Sequence, residues 1–104
     1  MERVDSYLRH NYALDISLER VADIIGASPG YFSKLFKQHF GQTFLERLTQ
    51  IRIQQAKKLL RTTDKSTREI GEAVGYPSIT YFNAKFKKET GLPPAEYRRN
   101  PPEE

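Results

Sequence analysis

A chain of 104 residues, 38% hydrophobic and 29% charged, is one small domain's worth of material and suits a globular chain rather than a disordered or membrane one. It has no cysteine, which excludes disulfides, a thiolate nucleophile and cysteine-ligated zinc; no apolar run reaches bilayer length, and the N-terminus has no signal-peptide core. The net charge of +4 is one-sided, with five basic against five acidic residues in 1–42 and twelve against eight in 43–104, which leans toward a polyanionic partner.

Taken in order, Val4, Tyr7 and Leu8 recur at helical spacing and predict a short helix ending before Ala13. Ser17 reads as the N-cap of a second, with Leu18, Val21, Ala22 and Ile25 on one face and Gly26 as its stop. Ser28-Pro29 opens a third, the serine as cap and the proline where no amide hydrogen is missed. Phe32, Leu35, Phe36 and Phe40 form its inward stripe, and Gly41 ends it.

The stretch from Thr43 to Thr62 contains no Gly or Pro and is rich in strong helix formers. Thr43 and Glu46 fit a capping box. Phe44, Leu48 and Ile51 share one arc of this helix, while Ile53, Ala56 and Leu60 share another, with Leu59 between them. The helix therefore reads as a spacer packing on one lobe at each end. Some 20 residues rise about 30 Å, close to the ~34 Å helical turn of B-DNA.

Ser66 and Glu69 form another capping-box pattern, opening a helix with Ile70, Ala73 and Val74 inward and Gly75 as its stop. A turn over Tyr76 to Ser78 leads to a helix from Ile79 to Thr90, closed by Gly91. Pro93 and Pro94 begin a last short helix through Tyr97 and Arg98, and residues 100–104 are expected to form a disordered tail. Nothing alternates like a strand. The expectation is an all-α chain of about seven helices.

The block Tyr31 to Gly41 and the block Tyr81 to Gly91 both read YFxxxFKxxxG. Each follows a shorter helix that begins at a serine and stops at a glycine, so one unit occurs twice, about fifty residues apart. Short helix, glycine-containing turn, longer helix is the helix-turn-helix pattern, whose second helix enters the major groove. Opposite Phe32 on the third helix lie Gly30, Lys34 and Lys37, with Ser33 at the edge; the matching positions in the repeat are Thr80, Ala84, Lys87 and Asn83. Lys34 suits guanine edges and Asn83 adenine, while Ser33 and Thr80 suit base or phosphate. Lys37 and Lys87 suit phosphates.

Two other function classes compete. A protein-interaction helical module with a basic face is the main alternative, and an RNA module lacks the expected aromatic sheet surface. Enzyme chemistry has little support: His10 and His39 have no carboxylates at triad or ligand spacing, no glycine-rich phosphate loop exists, and no cofactor or metal is expected.

The ordered pattern Arg52…Ala56…Leu59-Leu60, Ile70…Ala73-Val74-Gly75-Tyr76, Tyr81-Phe82…Phe86-Lys87-Lys88…Gly91 and Pro93…Tyr97-Arg98 resembles the DNA-binding domain of the AraC/XylS family of bacterial transcription regulators. The resemblance spans roughly Val4 to Arg98. It implies two homeodomain-like helix-turn-helix subdomains joined by a long linker helix: a first lobe over 1–42, the linker over 43–62, a second lobe over 63–99 and a tail over 100–104. Carried over by position, base contacts fall at Pro29, Gly30, Ser33 and Lys34 in the first unit and at Ile79, Thr80, Asn83 and Ala84 in the second. Lys37, Lys87 and Lys88 join as phosphate contacts. Arg52 matches a characteristic family arginine that either contacts phosphate or braces the lobes.

Double-stranded DNA is the implied partner, with activation often through contact with RNA polymerase, in the cytoplasm on the nucleoid. One position departs from the pattern: where a long polar side chain is usual, the second unit has Ala84, which reaches at most a thymine methyl. The first unit is therefore expected to carry most base discrimination, and the second to anchor and read shape. Because the match begins almost at Met1, two readings stay open, a natural short regulator and, the one favoured, a monomeric C-terminal piece of a longer regulator that dimerises through an N-terminal domain.

Overall fold

The two serine-to-glycine segments and their partners fold as helices with the expected punctuation. The computed structural model describes residues 1–102, and among these it holds α1 (Glu2–Asn11), α2 (Leu18–Ile24), α3 (Pro29–Phe40), α4 (Phe44–Thr62), α5 (Thr67–Ala73), α6 (Ile79–Thr90) and α7 (Pro94–Arg99), with no strand. Asn100, Pro101 and Pro102 lie outside any helix; Glu103 and Glu104, the rest of the expected tail, lie outside the described residues. No helix among the described residues is long and apolar enough to cross a membrane.

Local chemistry explains where these helices start. The hydroxyls of Ser17, Ser28, Ser66 and Ser78 accept from the amides of Arg20, Tyr31, Glu69 and Tyr81, satisfying first-turn N–H groups that have no partner within their helix. Both capping boxes close: the Thr43 amide donates to Glu46 Oε1 at 2.8 Å, and the Ser66 amide to Glu69 Oε1 at 3.0 Å. The hydrogen bond from each cap amide holds the Glu46 and Glu69 carboxyls below their usual range.

The chain divides into two compact units, Met1–Ile51 and Arg52–Glu104. In the first, Val4, Leu8, Ile16, Val21, Ala22, Phe32, Phe36, Phe44, Leu48 and Ile51 form one buried cluster. Its centre is aromatic, with Phe44 reaching Phe36 at 5.6 Å and Phe32 at 6.0 Å between ring centroids, edge to face, a favoured arrangement. Asp5 ties α1 to α4 through Arg47, whose Nη2 lies 2.9 Å from Oδ1, while Arg9 pairs with its other oxygen. Burial pushes the Asp5 carboxyl up, but hydrogen bonds and charge from Arg9 and Arg47 outweigh this and hold it below its usual range.

In the second unit Ile53, Ala56, Leu60, Ile70, Val74, Tyr76, Phe82, Phe86 and Tyr97 are buried. Phe86 lies between Phe82 at 5.8 Å and Tyr97 at 5.4 Å. Arg61 donates to the Tyr97 hydroxyl, and Arg98 donates to the carbonyls of Leu60 and Thr63 at the end of α4, where unpaired carbonyls and the negative end of the helix dipole favour a cation. The swing of the apolar stripe along α4 is thus the reason one helix supplies both cores.

Three expected core positions are not core. Ile25 is 47% exposed, because α2 has already ended at Ile24 and the helical repeat no longer sets its direction. Leu35 is 37% exposed; the stripe on α3 narrows to Phe32 and Phe36, leaving Leu35 at its margin. Ala73 is exposed while Gly71 is buried, since the inward face of α5 centres between Ile70 and Gly71 rather than between Ile70 and Ala73. A Cβ on Gly71 would lie 2.9 Å from the Phe82 ring, so glycine is what allows α5 and α6 to approach.

Candidate nucleic-acid interface

Each short helix leaves by the same turn. The amide of Ala27 donates to the Ala22 carbonyl and that of Gly26 to Asp23; in the repeat Tyr76 donates to Gly71 and Gly75 to Glu72. This six-to-one, five-to-two pair of bonds is the Schellman motif. It needs a left-handed residue, supplied by Gly26 at φ 74° and Gly75 at φ 105°. The chain then runs through Ser28 into α3, or through Pro77 and Ser78 into α6, one residue longer in the second unit. The turn thereby fixes which face of each second helix meets its own core.

The opposite face is open. On α3 Pro29, Gly30, Ser33, Lys34 and Lys37 are all exposed, so the five residues anticipated in the first unit share one solvent-facing strip. A Cβ on Gly30 would meet nothing within 4 Å, leaving the backbone there open to close approach. On α6 Thr80, Asn83, Ala84, Lys87 and Lys88 are exposed and Ile79 is half-buried at the helix start. Each set lies within its own unit.

The electrostatics of the two helices set them apart from the other five. Glu2 and Asp5, Glu19, Glu46, Glu69 and Glu96 place an acid in the first turn of α1, α2, α4, α5 and α7, but α3 and α6 have none. An acid there would neutralise the positive end of the helix dipole; without one, the end stays attractive to an anion. Lys37, Lys87 and Lys88 add formal positive charge along the same two helices. The units differ in total charge: Met1–Ile51 balances six basic against six acidic residues, whereas residues 52–102 hold eleven against five.

Arg52 is half-buried in the second unit, its guanidinium carbon 5.3 Å from the centroid of the Tyr76 ring. From the sequence Arg52 reads as a phosphate contact or a brace between the lobes, and Tyr76 carries no role of its own. Tyr31 and Tyr81, the third residues of α3 and α6, are 63% and 55% exposed and are not among the contacts expected from the sequence. Their signal was present: both open the repeated YFxxxFKxxxG block, and only the second of each Tyr-Phe pair is needed by the core.

Two helix-turn-helix units, each presenting a polar and basic second helix without a first-turn acid, define a nucleic-acid-binding class of domain. The family described as "Helix-turn-helix domain" matches residues 21–100. The bifunctional transcriptional activator/DNA repair enzyme AdaA of Bacillus subtilis is 35% identical over 99 residues, which is 95% of this chain and 47% of AdaA. Among solved structures, the C-terminal domain of AraT, a response regulator from Geobacillus stearothermophilus, is 38% identical with a TM-score of 0.94 over 99% of this chain and 86% of that one. The DNA-binding domain of AdpA, a global transcriptional factor solved with a target DNA, is 30% identical with a TM-score of 0.86 over 94% and 87%. The chain belongs to this helix-turn-helix family and is an AraC/XylS-type domain; it spans about half the length of AdaA.

Proposed function

We propose that this chain binds duplex DNA sequence-specifically in the regulation of transcription, with α3 and α6 as its two recognition helices in adjacent major-groove segments. The observation that carries the proposal is the duplicated helix-turn-helix, with the outward face of its second helix exposed in both units. AdpA was solved with its target DNA, which supports the same partner for this chain.

Base contacts are assigned to Pro29, Gly30, Ser33 and Lys34 on α3 and to Ile79, Thr80, Asn83 and Ala84 on α6, with Lys37, Lys87 and Lys88 on phosphates. Lys34 donates to a guanine edge and Asn83 pairs with adenine. Ala84 offers at most a methyl contact, so the first unit discriminates bases while the second, more basic unit supplies affinity and reads shape. The chain acts as a binding domain and not as an enzyme; the repair activity in AdaA's name belongs to that longer protein. Its place is the bacterial cytoplasm, on the nucleoid, where it acts as a monomeric DNA-binding domain and meets RNA polymerase at promoters.

Selection of bound sites from a random duplex library tests this directly. Enrichment of a site long enough for two groove segments is expected. With about six phosphate contacts, affinity for that site should fall roughly a thousandfold between about 50 and 200 mM salt. Absence of any enriched duplex, or salt-insensitive binding, refutes the reading and favours an interaction module for an acidic protein.

A further inference from the structure

Arg52, Tyr76 and Tyr81 form a contact chain that the recognition-helix assignments leave unused. The Arg52 guanidinium lies over the Tyr76 ring at 5.3 Å. Tyr76 is buried, stacks on Phe82 at 5.8 Å and 29°, and meets Tyr81 at 5.7 Å. Tyr81 is therefore exposed on one side and backed by a fixed ring on the other.

A large exposed side chain held this way has already given up much of the rotamer freedom it would lose on binding. It also stands next to a gap. Tyr81 and Ala84 are neighbours at i, i+3 on α6, and Ala84 is too short to reach across a groove, which leaves that margin to Tyr81 and to Lys85 and Lys88, the lysines four and seven residues after it; Tyr81 is the rigid one of the three. The first unit lacks this device: Ala27 occupies the position of Tyr76, so no ring stands behind Tyr31 from there.

Resting on the DNA-binding reading above, we propose that the Tyr81 hydroxyl donates to a backbone phosphate, and that Arg52 is a positioning residue acting through Tyr76 rather than a phosphate clamp. Tyrosine hydroxyls are among the side-chain groups that contact DNA phosphates and set register. A neutral donor displaces no counterion, so this contact adds affinity without adding to the salt dependence. A cation over a ring is worth enough to hold an aromatic in place, more so when partly desolvated. The second unit then fixes its orientation on the duplex by a preset uncharged contact and obtains its salt-dependent affinity from Lys87 and Lys88.

The experiment uses the whole chain, a duplex enriched from the random library, and binding measured across salt concentrations for Tyr81→Phe, Arg52→Gln, Arg52→Lys and the double variant Arg52→Gln/Tyr81→Phe. Tyr81→Phe should weaken binding about tenfold at every salt concentration, leaving the slope unchanged. Arg52→Gln should weaken it comparably, again with unchanged slope, and shift the Tyr81 ring resonances of the free protein. The double variant should be no weaker than the weaker single one, and Arg52→Lys should recover most of the loss.

A slope reduced by about one in Arg52→Gln, with losses that add to those of Tyr81→Phe, makes Arg52 the clamp and overturns the proposal. So does undiminished binding by Tyr81→Phe, which removes only an exposed hydroxyl and tests the contact even where Arg52→Gln lowers stability. Failure of the underlying reading looks different: the unaltered chain itself then enriches no duplex.

Discussion

The two helix-turn-helix units share one backbone plan and differ in what they put on it. Both leave their short helix by a Schellman turn through Gly26 or Gly75 and cap the long helix with Ser28 or Ser78. Both bury a Phe pair four residues apart and add one aromatic from the next helix, Phe44 or Tyr97. Against this sameness stand Lys34 opposite Ala84, Ala27 opposite Tyr76, Ala22 opposite Gly71, and a balanced charge opposite a strongly positive one. On the proposed reading a duplicated fold divides its labour with no more backbone change than one added residue in the second turn, because the core needs only the Phe positions and leaves the exposed strip free to vary.

The strongest test of that division is at the bases. Lys34→Ala should cost about 1–3 kcal/mol of binding at the selected site and relax the preference at one base pair, whereas Ala84→Gly should change little. A base-by-base substitution scan should likewise show its largest losses in the half-site under Lys34. Equal losses in both halves would remove the asymmetry.

Gly71→Ala probes how differently the two short helices pack. Helix propensity favours the change by about 1 kcal/mol, but the added methyl meets the Phe82 ring at 2.9 Å, and overpacking of this kind costs about 1–3 kcal/mol. A net loss of about 1 kcal/mol in urea unfolding is expected. A stabilised variant would show that α5 and α6 separate without penalty.

Charge is tested by the salt slope. Lys37→Gln and Lys87→Gln should each lower it by about one and weaken binding to selected and random duplexes alike, marking both as phosphate contacts. If only Lys87→Gln lowers it, the first unit touches bases without anchoring.

The smallest effect is in acid stability. Asp5 and Glu46 in the first unit and Glu69 in the second have folded-state pKa values below their unfolded ones. Their contribution is present above the ordinary carboxyl range of about pH 4 and is lost as pH falls through the depressed values. With two such groups against one, amide signals of the first unit should be lost at slightly higher pH than those of the second. Glu46→Gln and Glu69→Gln should each flatten the dependence of their own unit.

Much of this was legible because helices announce themselves locally. Ser17, Ser28, Thr43 and Ser66 signal starts by hydrogen bonds that span three residues, and Gly26, Gly41, Gly75 and Gly91 signal stops by a φ that other residues resist; Ser78, read from the sequence only as part of a turn, proves to be a cap of the same kind. Less legible were positions where neighbours decide. Ile25, Leu35 and Ala73 obey the apolar period yet face solvent, because a wheel drawn on one helix cannot show which arc another element covers. The outward strips on α3 and α6 could be read as the complement of the Phe pairs, but the pairing of Arg52 with Tyr76 joins residues 24 apart in the chain and no periodicity reports it.

What the amino-acid order determined alone, then, was the number and limits of the helices, the repeat, and the sign of the charge on each half, since capping, helical spacing and net charge depend on residues a few positions apart. Only the tertiary structure decided which of the apolar residues are core, why position 71 must be glycine, and what lies behind Tyr81. Those depend on atoms brought within a few ångströms by packing, and dispersion, ring contacts and steric overlap act only at that range.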